Sequence, residues 1–272
     1  MKKSILIPSQ STKGGVTMRK MIAITIGVLI VLFICTAANA GESSDTGDWD
    51  FNLAPFYLWA VSMDGEMTTG TTTTPVVADF KDLASSLEAL FTVHFEGMHK
   101  NKCGFLVDVN YLTLSGQETI PIPVPVTLDV DFTSVMTELA GIYRFSFGEN
   151  AFDVIGGARY YSLEPEINIT SALPLPSRID FTQDWWDLMI GGRYIWTINE
   201  KWNLTARGDV GFIGSDLTWN VSGLFKFQPW KHVSLLFGYR YMDIDYEDGS
   251  GADLFKYDMT MHGPLLGVNF VW

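Results

Sequence analysis

The sequence predicts an all-β fold: an antiparallel up-and-down barrel crossing a membrane with ten strands, eight or twelve being the alternatives. Three observations predict it. Apolar or small residues alternate with polar ones along nearly all of the chain after residue 40. Successive side chains of a strand point to opposite faces, so this pattern turns one face to lipid and the other to a lumen. Second, no stretch after residue 40 approaches twenty continuous apolar residues, which leaves strands as the way across a bilayer. Third, tryptophans recur at membrane spacing: Trp49 and Trp59 are ten residues apart, Trp186 and Trp196 ten, and Trp219 and Trp230 eleven. A tilted strand crosses the hydrocarbon layer in about 9–11 residues, so each pair would place a ring in both interfacial girdles.

The N-terminal 40 residues read differently. Residues 1–17 form a non-structural extension. Met18-Arg19-Lys20 begins a secretory signal peptide over 18–40, with an apolar run from Met21 to Cys35. Cleavage is expected after Ala38-Asn39-Ala40, before Gly41. Bulky Phe33 and Ile34 before Cys35 argue against lipidation. These 40 residues carry five Lys or Arg and no acid, so the remaining 232 hold 13 basic and 31 acidic side chains, a net −18. Phosphate backbones would repel that charge, which excludes nucleic acid as a partner. Cys103 is the one cysteine after residue 40, so no internal disulfide is available.

From 41 to 272 the alternation marks strands at 48–61, 90–99, 103–115, 126–147, 151–168, 178–198, 201–214, 217–229, 232–247 and 254–272. Tight polar turns at Asn101-Lys102, Gly148-Glu149-Asn150, Asn199-Glu200 and Pro229-Trp230-Lys231 alternate with connections that are mostly longer. Short turns at one end and longer loops at the other are the grammar of a membrane barrel. A hairpin repeat reinforces it. With a shift of 49 residues, Val130-Asp131-Phe132-Thr133 matches Ile179-Asp180-Phe181-Thr182, and Arg144-Phe145 matches Arg193-Tyr194. One repeat is one hairpin, a natural way to build an up-and-down sheet. Residues 62–89 break the pattern. The Thr- and Gly-rich part from Thr68 to Thr74 suits an exposed loop or a hairpin beyond the membrane. Phe80, Leu83 and Leu87 have helical spacing, so a short helix is expected near 80–88, in the barrel mouth or on its rim.

Alternation assigns the lumen. Lining residues are expected to be His94, Glu96, Asp108, Glu138, Arg144, Arg159, Asp187, Arg193, Arg207, Asp209, Arg240 and His262, with Asn110 and Asp153 beside them. In the last strand Phe255, Tyr257, Met259 and Met261 share one face, and Leu266, Val268, Phe270 and Trp272 another of opposite parity. A bulge near Gly263-Pro264 is therefore expected to join them, turning Lys256, Asp258, Thr260 and His262 inward. Two readings of this lumen stay open. Arginine–carboxylate pairs fill it and hold the barrel rigid, or they line a narrow charged pore for small solutes. No catalytic constellation is apparent: inward His94 and His262 near Glu96 and Asp258 have no positioned serine, and no metal-ligand motif or cofactor is indicated. The chain is therefore read as a non-enzyme, a lipid-modifying enzyme being the alternative.

The closing residues carry a resemblance. Leu265, Gly267, Phe270 and Trp272 stand in the order apolar-x-Gly-x-x-aromatic-x-aromatic. This resembles the C-terminal assembly signal of Gram-negative outer-membrane β-barrel proteins, with Trp in place of the more usual Phe. The resemblance implies a small porin-like or OmpA-like barrel in the cell outer membrane, whose partners are periplasmic chaperones, the barrel assembly machinery and outer-membrane lipid. Its implied role is small-solute passage, or a structural barrel whose external loops bind a partner.

Overall fold

The computed structural model describes residues 48–120, 126–171 and 177–272. The expected extension, signal peptide and cleavage site at Ala38, Ala40 and Gly41 lie outside the described residues.

Among the described residues thirteen strands form one sheet: β1 (Trp49–Trp59), β2 (Ser62–Thr69), β3 (Thr72–Ala78), β4 (Leu87–His99), β5 (Cys103–Ile120), β6 (Val126–Phe147), β7 (Asn150–Ser171), β8 (Arg178–Asp180), β9 (Gln183–Asn199), β10 (Trp202–Phe212), β11 (Leu217–Trp230), β12 (Val233–Asp248) and β13 (Phe255–Val271). A helix, α1 (Phe80–Ser85), lies between β3 and β4. Ten strands close the barrel in the order β1-β4-β5-β6-β7-β9-β10-β11-β12-β13, and β13 pairs back onto β1. Every neighbouring pair is antiparallel, and each strand of the ring has a partner on both sides over at least part of its length. The expected strand at 178–198 is divided: β8 makes a three-residue ladder with β7, and β9 carries the ring.

The 62–89 segment resolves into a hairpin and a short helix. β2 continues the line of β1 along β13, and β3 folds back on β2. At the opposite end the turns are tight. Lys100 and Asn101 take left-handed φ values of 51° and 50°, the geometry a two-residue hairpin turn demands. Gly148 does the same at φ 64° in the β6–β7 turn.

The expected bulge at Gly263-Pro264 is absent. The β12–β13 ladder runs from Val233–Phe270 to Asp248–Phe255 without a shift. The two apolar sets of β13 are the two faces of one regular strand. Leu266 and Phe270 look outward, whereas Phe255, Tyr257 and Met259 are 5%, 4% and 0% exposed and pack with Met242, Ile244 and Tyr246 inside the barrel. Where a shift does occur, at Leu53/Phe56 of β1, Pro55 supplies no N–H. That shift reverses the parity of β1, so Trp59 lies inside beneath the Arg240 guanidinium, 4.7 Å from its ring centroid, instead of in a girdle.

The outer wall is apolar all round. Phe56, Leu188, Ile190, Val221 and Leu266 are each more than half exposed. A continuous apolar band of this kind far exceeds the isolated patches tolerated in water, and lipid is the medium it fits. Belts edge it. At the turn end Trp49, Phe51, Phe95 and Trp272 pack together; toward the loops Trp219 stacks on Tyr241, and Tyr241 on His262.

Candidate functional site

The lumen holds two layers of opposite character. In its lower half, charged side chains from facing strands meet. Glu138 of β6 is the hub: it accepts from Arg159 Nε (2.9 Å), Arg207 Nη2 (2.8 Å) and Arg240 Nη2 (3.3 Å). Asp209 accepts from Arg159 Nη2 (2.6 Å), Arg207 Nε (2.9 Å) and Asn220 Nδ2 (2.8 Å). Arg240 also donates to Asn220 Oδ1 (2.7 Å). Because β12 and β6 lie on opposite sides of the ring, the Arg240–Glu138 contact spans its diameter.

A second group lies beside the first. Asp153 takes paired bonds from Arg144 (2.7 and 2.9 Å) and Arg193 (2.9 and 2.6 Å). Arg193 reaches across to grip both oxygens of Glu96 (2.6 and 2.9 Å). His94 Nδ1 sits 3.0 Å from Asp108 Oδ2, and Asn110 donates to the same carboxylate. Asp187 is held differently, by Ser215 N and Oγ (2.7 Å each) and Thr218 Oγ1 (3.1 Å). These are charge-assisted, often bidentate bonds; most join neighbouring strands, while Arg240–Glu138, Arg193–Glu96 and Arg207–Glu138 reach across the lumen. Together they form a septum: Glu138, Asp153, Arg159, Asp187 and Asp209 are all 5% exposed or less. Below it a polar vestibule of about 380 Å³ opens toward Asn101, Gly148 and Glu149 in the turns.

Above the septum the inward face changes chemistry within two residues on strand after strand. Glu138 is followed by Met136, Arg159 by Tyr161, Asp187 by Trp185, and Arg240 by Met242. The result is an apolar chamber of about 230 Å³, walled chiefly by Trp59, Met136, Leu163, Trp185, Ile244 and Tyr257. Its few polar neighbours, Thr92, Asn110, Tyr111, Ser134, Tyr161 and Tyr257, are uncharged. On its loop side aromatic rings pack against the Trp185 wall: Trp185 stacks on Tyr246 at 3.9 Å, and Phe181 meets Phe255 edge-on at 5.6 Å.

Eleven of the twelve residues expected to line the lumen are brought together in the septum. His262 is not. It faces outward, where its Nδ1 sits 2.7 Å from the Tyr239 hydroxyl and its ring stacks on Tyr239 and Tyr241. With no bulge, residue 262 keeps the parity of Leu266, and an imidazole suits the interfacial belt. Lys256, Asp258 and Thr260 share that face. Lys256 pairs with Glu247, and Thr260 donates to Asp243 (2.6 Å). Hydropathy alone does not mark the chamber residues, because an apolar side chain on a membrane strand is expected to face lipid. Parity alone marks them: Met136 shares a face with Glu138, Tyr161 with Arg159, and Ile244 with Arg240. Of the closing residues, Leu265 is buried inside while Phe270 and Trp272 face outward, and Phe51 and Trp272 exchange backbone hydrogen bonds of 2.9 and 3.2 Å.

A closed ten-strand antiparallel ring with an apolar wall, aromatic belts and a charged lumen defines the outer-membrane β-barrel fold. The comparisons agree with it. The outer membrane protease OmpT from Escherichia coli matches with a TM-score of 0.55 at 7% identity, over 85% of this chain and 99% of that one. The translocator domain of the autotransporter NalP from Neisseria meningitidis matches at 0.41 and 13% identity, over 94% and 99%. A FadL homologue from Pseudomonas aeruginosa matches at 0.36 and 9%, over 83% and 90%. At such identities the likeness to OmpT is one of fold. No protein-family model and no curated protein matches the sequence.

Proposed function

We propose that this outer-membrane barrel is sealed to water-soluble solutes and binds a small, uncharged, apolar molecule in the loop-side half of its lumen. The observation that carries this reading is the abrupt exchange of a charged septum for an apolar chamber. An ion crossing the lumen would have to break the Arg–carboxylate pairs of the septum, among them the diametric Arg240–Glu138 contact, leaving desolvated partners behind. An apolar molecule in the chamber meets no such obstacle, because the walls offer dispersion contacts and no charge. An apolar cavity of about 150 Å³ stays dry and holds benzene; this one, at about 230 Å³, suits a larger ring system or a short hydrocarbon. A charged head group would find no counter-ion there, which restricts the ligand class to neutral molecules.

Two measurements test the reading. In planar bilayers the reconstituted barrel is expected to be silent; discrete conductance steps would overturn the sealed lumen. In nanodiscs, 1-fluoronaphthalene is expected to show a ¹⁹F resonance distinct from the lipid-dissolved pool, and Met136→Trp, which fills the chamber, is expected to remove it. A wild-type barrel without a bound resonance would overturn the chamber as a binding site.

A further inference from the structure

The chamber is bounded below by the septum and flanked on the loop side by the Trp185–Tyr246 stack, and its wall is incomplete on one side. β1 and β4 pair only over Trp49–Ala54 and His94–His99. At Pro55 the register of β1 shifts toward β13, and Phe56–Trp59 keep that partner alone. The backbone N–H of Tyr57 then donates to Thr92 Oγ1 (3.2 Å), a side-chain contact where a ladder bond would otherwise stand. Higher up, β3 pairs with β2, while β4 from Leu87 pairs with β5. Between them the ring parts into a seam.

That seam is apolar and continuous with the chamber. Leu58, Val61, Phe80, Leu83, Leu87 and Leu90 line both. Leu58 belongs to the outward face of β1, so the cavity reaches through the wall. α1 lies across the opening as a single short helix that buries none of its residues. Its ties include Phe80 N to Ser62 Oγ (3.1 Å) and, just beyond its end, Ser115 N to Ser86 O (2.8 Å).

The height of the seam follows from the belts. The loop-side row of Trp219, Tyr241 and His262 reaches β1 and β2 where His262 pairs with Ser62. The parting begins at Ala54 and passes Leu58, below that row and above the lower belt at Trp49. It therefore opens within the hydrocarbon layer, on the side of the loops.

Resting on the chamber as a binding site, we infer that its ligand enters and leaves sideways, through the seam between β1 and β4 under α1, exchanging with the outer leaflet of the membrane. The molecule is thus one that dissolves in lipid: a neutral hydrocarbon or aromatic compound taken from, or delivered to, the bilayer. The axial alternative would require the molecule to pass the Trp185–Tyr246 stack or the charged septum.

Saturation-transfer ¹⁹F NMR of 1-fluoronaphthalene, on the whole barrel in nanodiscs, measures exchange between bound and lipid pools. Ser85→Trp narrows the seam from an exposed position of α1, where the fold tolerates it, and Phe91→Trp does so from the outward face of β4; neither side chain lines the chamber. The lateral route predicts exchange at least tenfold slower in these variants, with occupancy within twofold of wild type. Wild-type exchange rates in both would overturn it while leaving the chamber intact. A wild-type barrel with no bound resonance would overturn the chamber reading and the route with it.

Discussion

Glu138→Ala is expected to destabilise the barrel by about 3–5 kcal/mol and to make it conduct. Glu138 is 1% exposed and accepts from three guanidinium groups. Removing one member of a buried ionic network leaves its partners charged and desolvated, a cost of about that size. Arg159 and Arg207 would retain only Asp209 as a carboxylate partner, and Arg240 would have no carboxylate, only the Asn220 amide, the Trp59 ring and Met242 Sδ. Such a site relaxes by admitting water, and water in the septum joins the vestibule to the space above. Two readouts follow: a lowered urea midpoint for loss of the heat-modified gel shift, and single-channel steps where wild type is silent. Glu138→Gln, which keeps an acceptor of the same shape without the charge, is expected to fall between. A Glu138→Ala barrel as stable and silent as wild type would show that the septum does not seal the lumen.

Gly157→Val is expected to prevent or severely impair folding, costing roughly 3 kcal/mol or more. A Cβ at Gly157 would stand 2.0 Å from the Leu139 carbonyl oxygen and 2.5 Å from the Ala140 Cα, both backbone atoms of the adjacent strand. Neither can withdraw without opening the β6–β7 ladder, which is continuous from Phe147–Asn150 to Val126–Ser171. The protein supplies its own control. A Cβ at Gly116, in the loop-side extension of β5, would meet nothing within 4 Å. Gly116→Val is expected to change stability by no more than about 0.5 kcal/mol. Equal loss of the folded gel band in both variants would show that general β-sheet composition, not this close approach, governs folding.

The ring and its septum were legible in the sequence for one physical reason. A charged side chain on a membrane strand cannot face lipid cheaply, so Arg159, Arg207 or Glu138 fixes the parity of its whole strand. Apolar residues carry no such information, since Met136 or Tyr257 can face lipid or a dry lumen equally well. That ambiguity hid the chamber and produced the expected bulge at Gly263-Pro264. Trp59 escaped for a different reason. Its ten-residue separation from Trp49 predicts the same face only on a regular strand, and the shift at Pro55 is a tertiary choice between β13 and β4. His262 shows the converse: polarity alone predicts a lumen position, while the stacked tyrosines of the belt accommodate the ring outside.

The diametric contact between Arg240 and Glu138 also bears on the order of assembly. The two residues are 102 positions apart in the chain, and Asn269 meets Asn52 across 217. Contacts of such sequence separation form late, because the intervening chain must first be ordered. Pairs on neighbouring strands, such as Arg159–Glu138 and Arg144–Asp153, can form as each hairpin is added. Arg240 meets Glu138, and Arg193 meets Glu96, only as the sheet curls closed, so until β13 docks on β1 the lumen stays open to water. Closure and drying of the interior are then a single event. The charges that bar the lumen in the finished molecule act, during biogenesis, as a latch that engages only when the last strand is home.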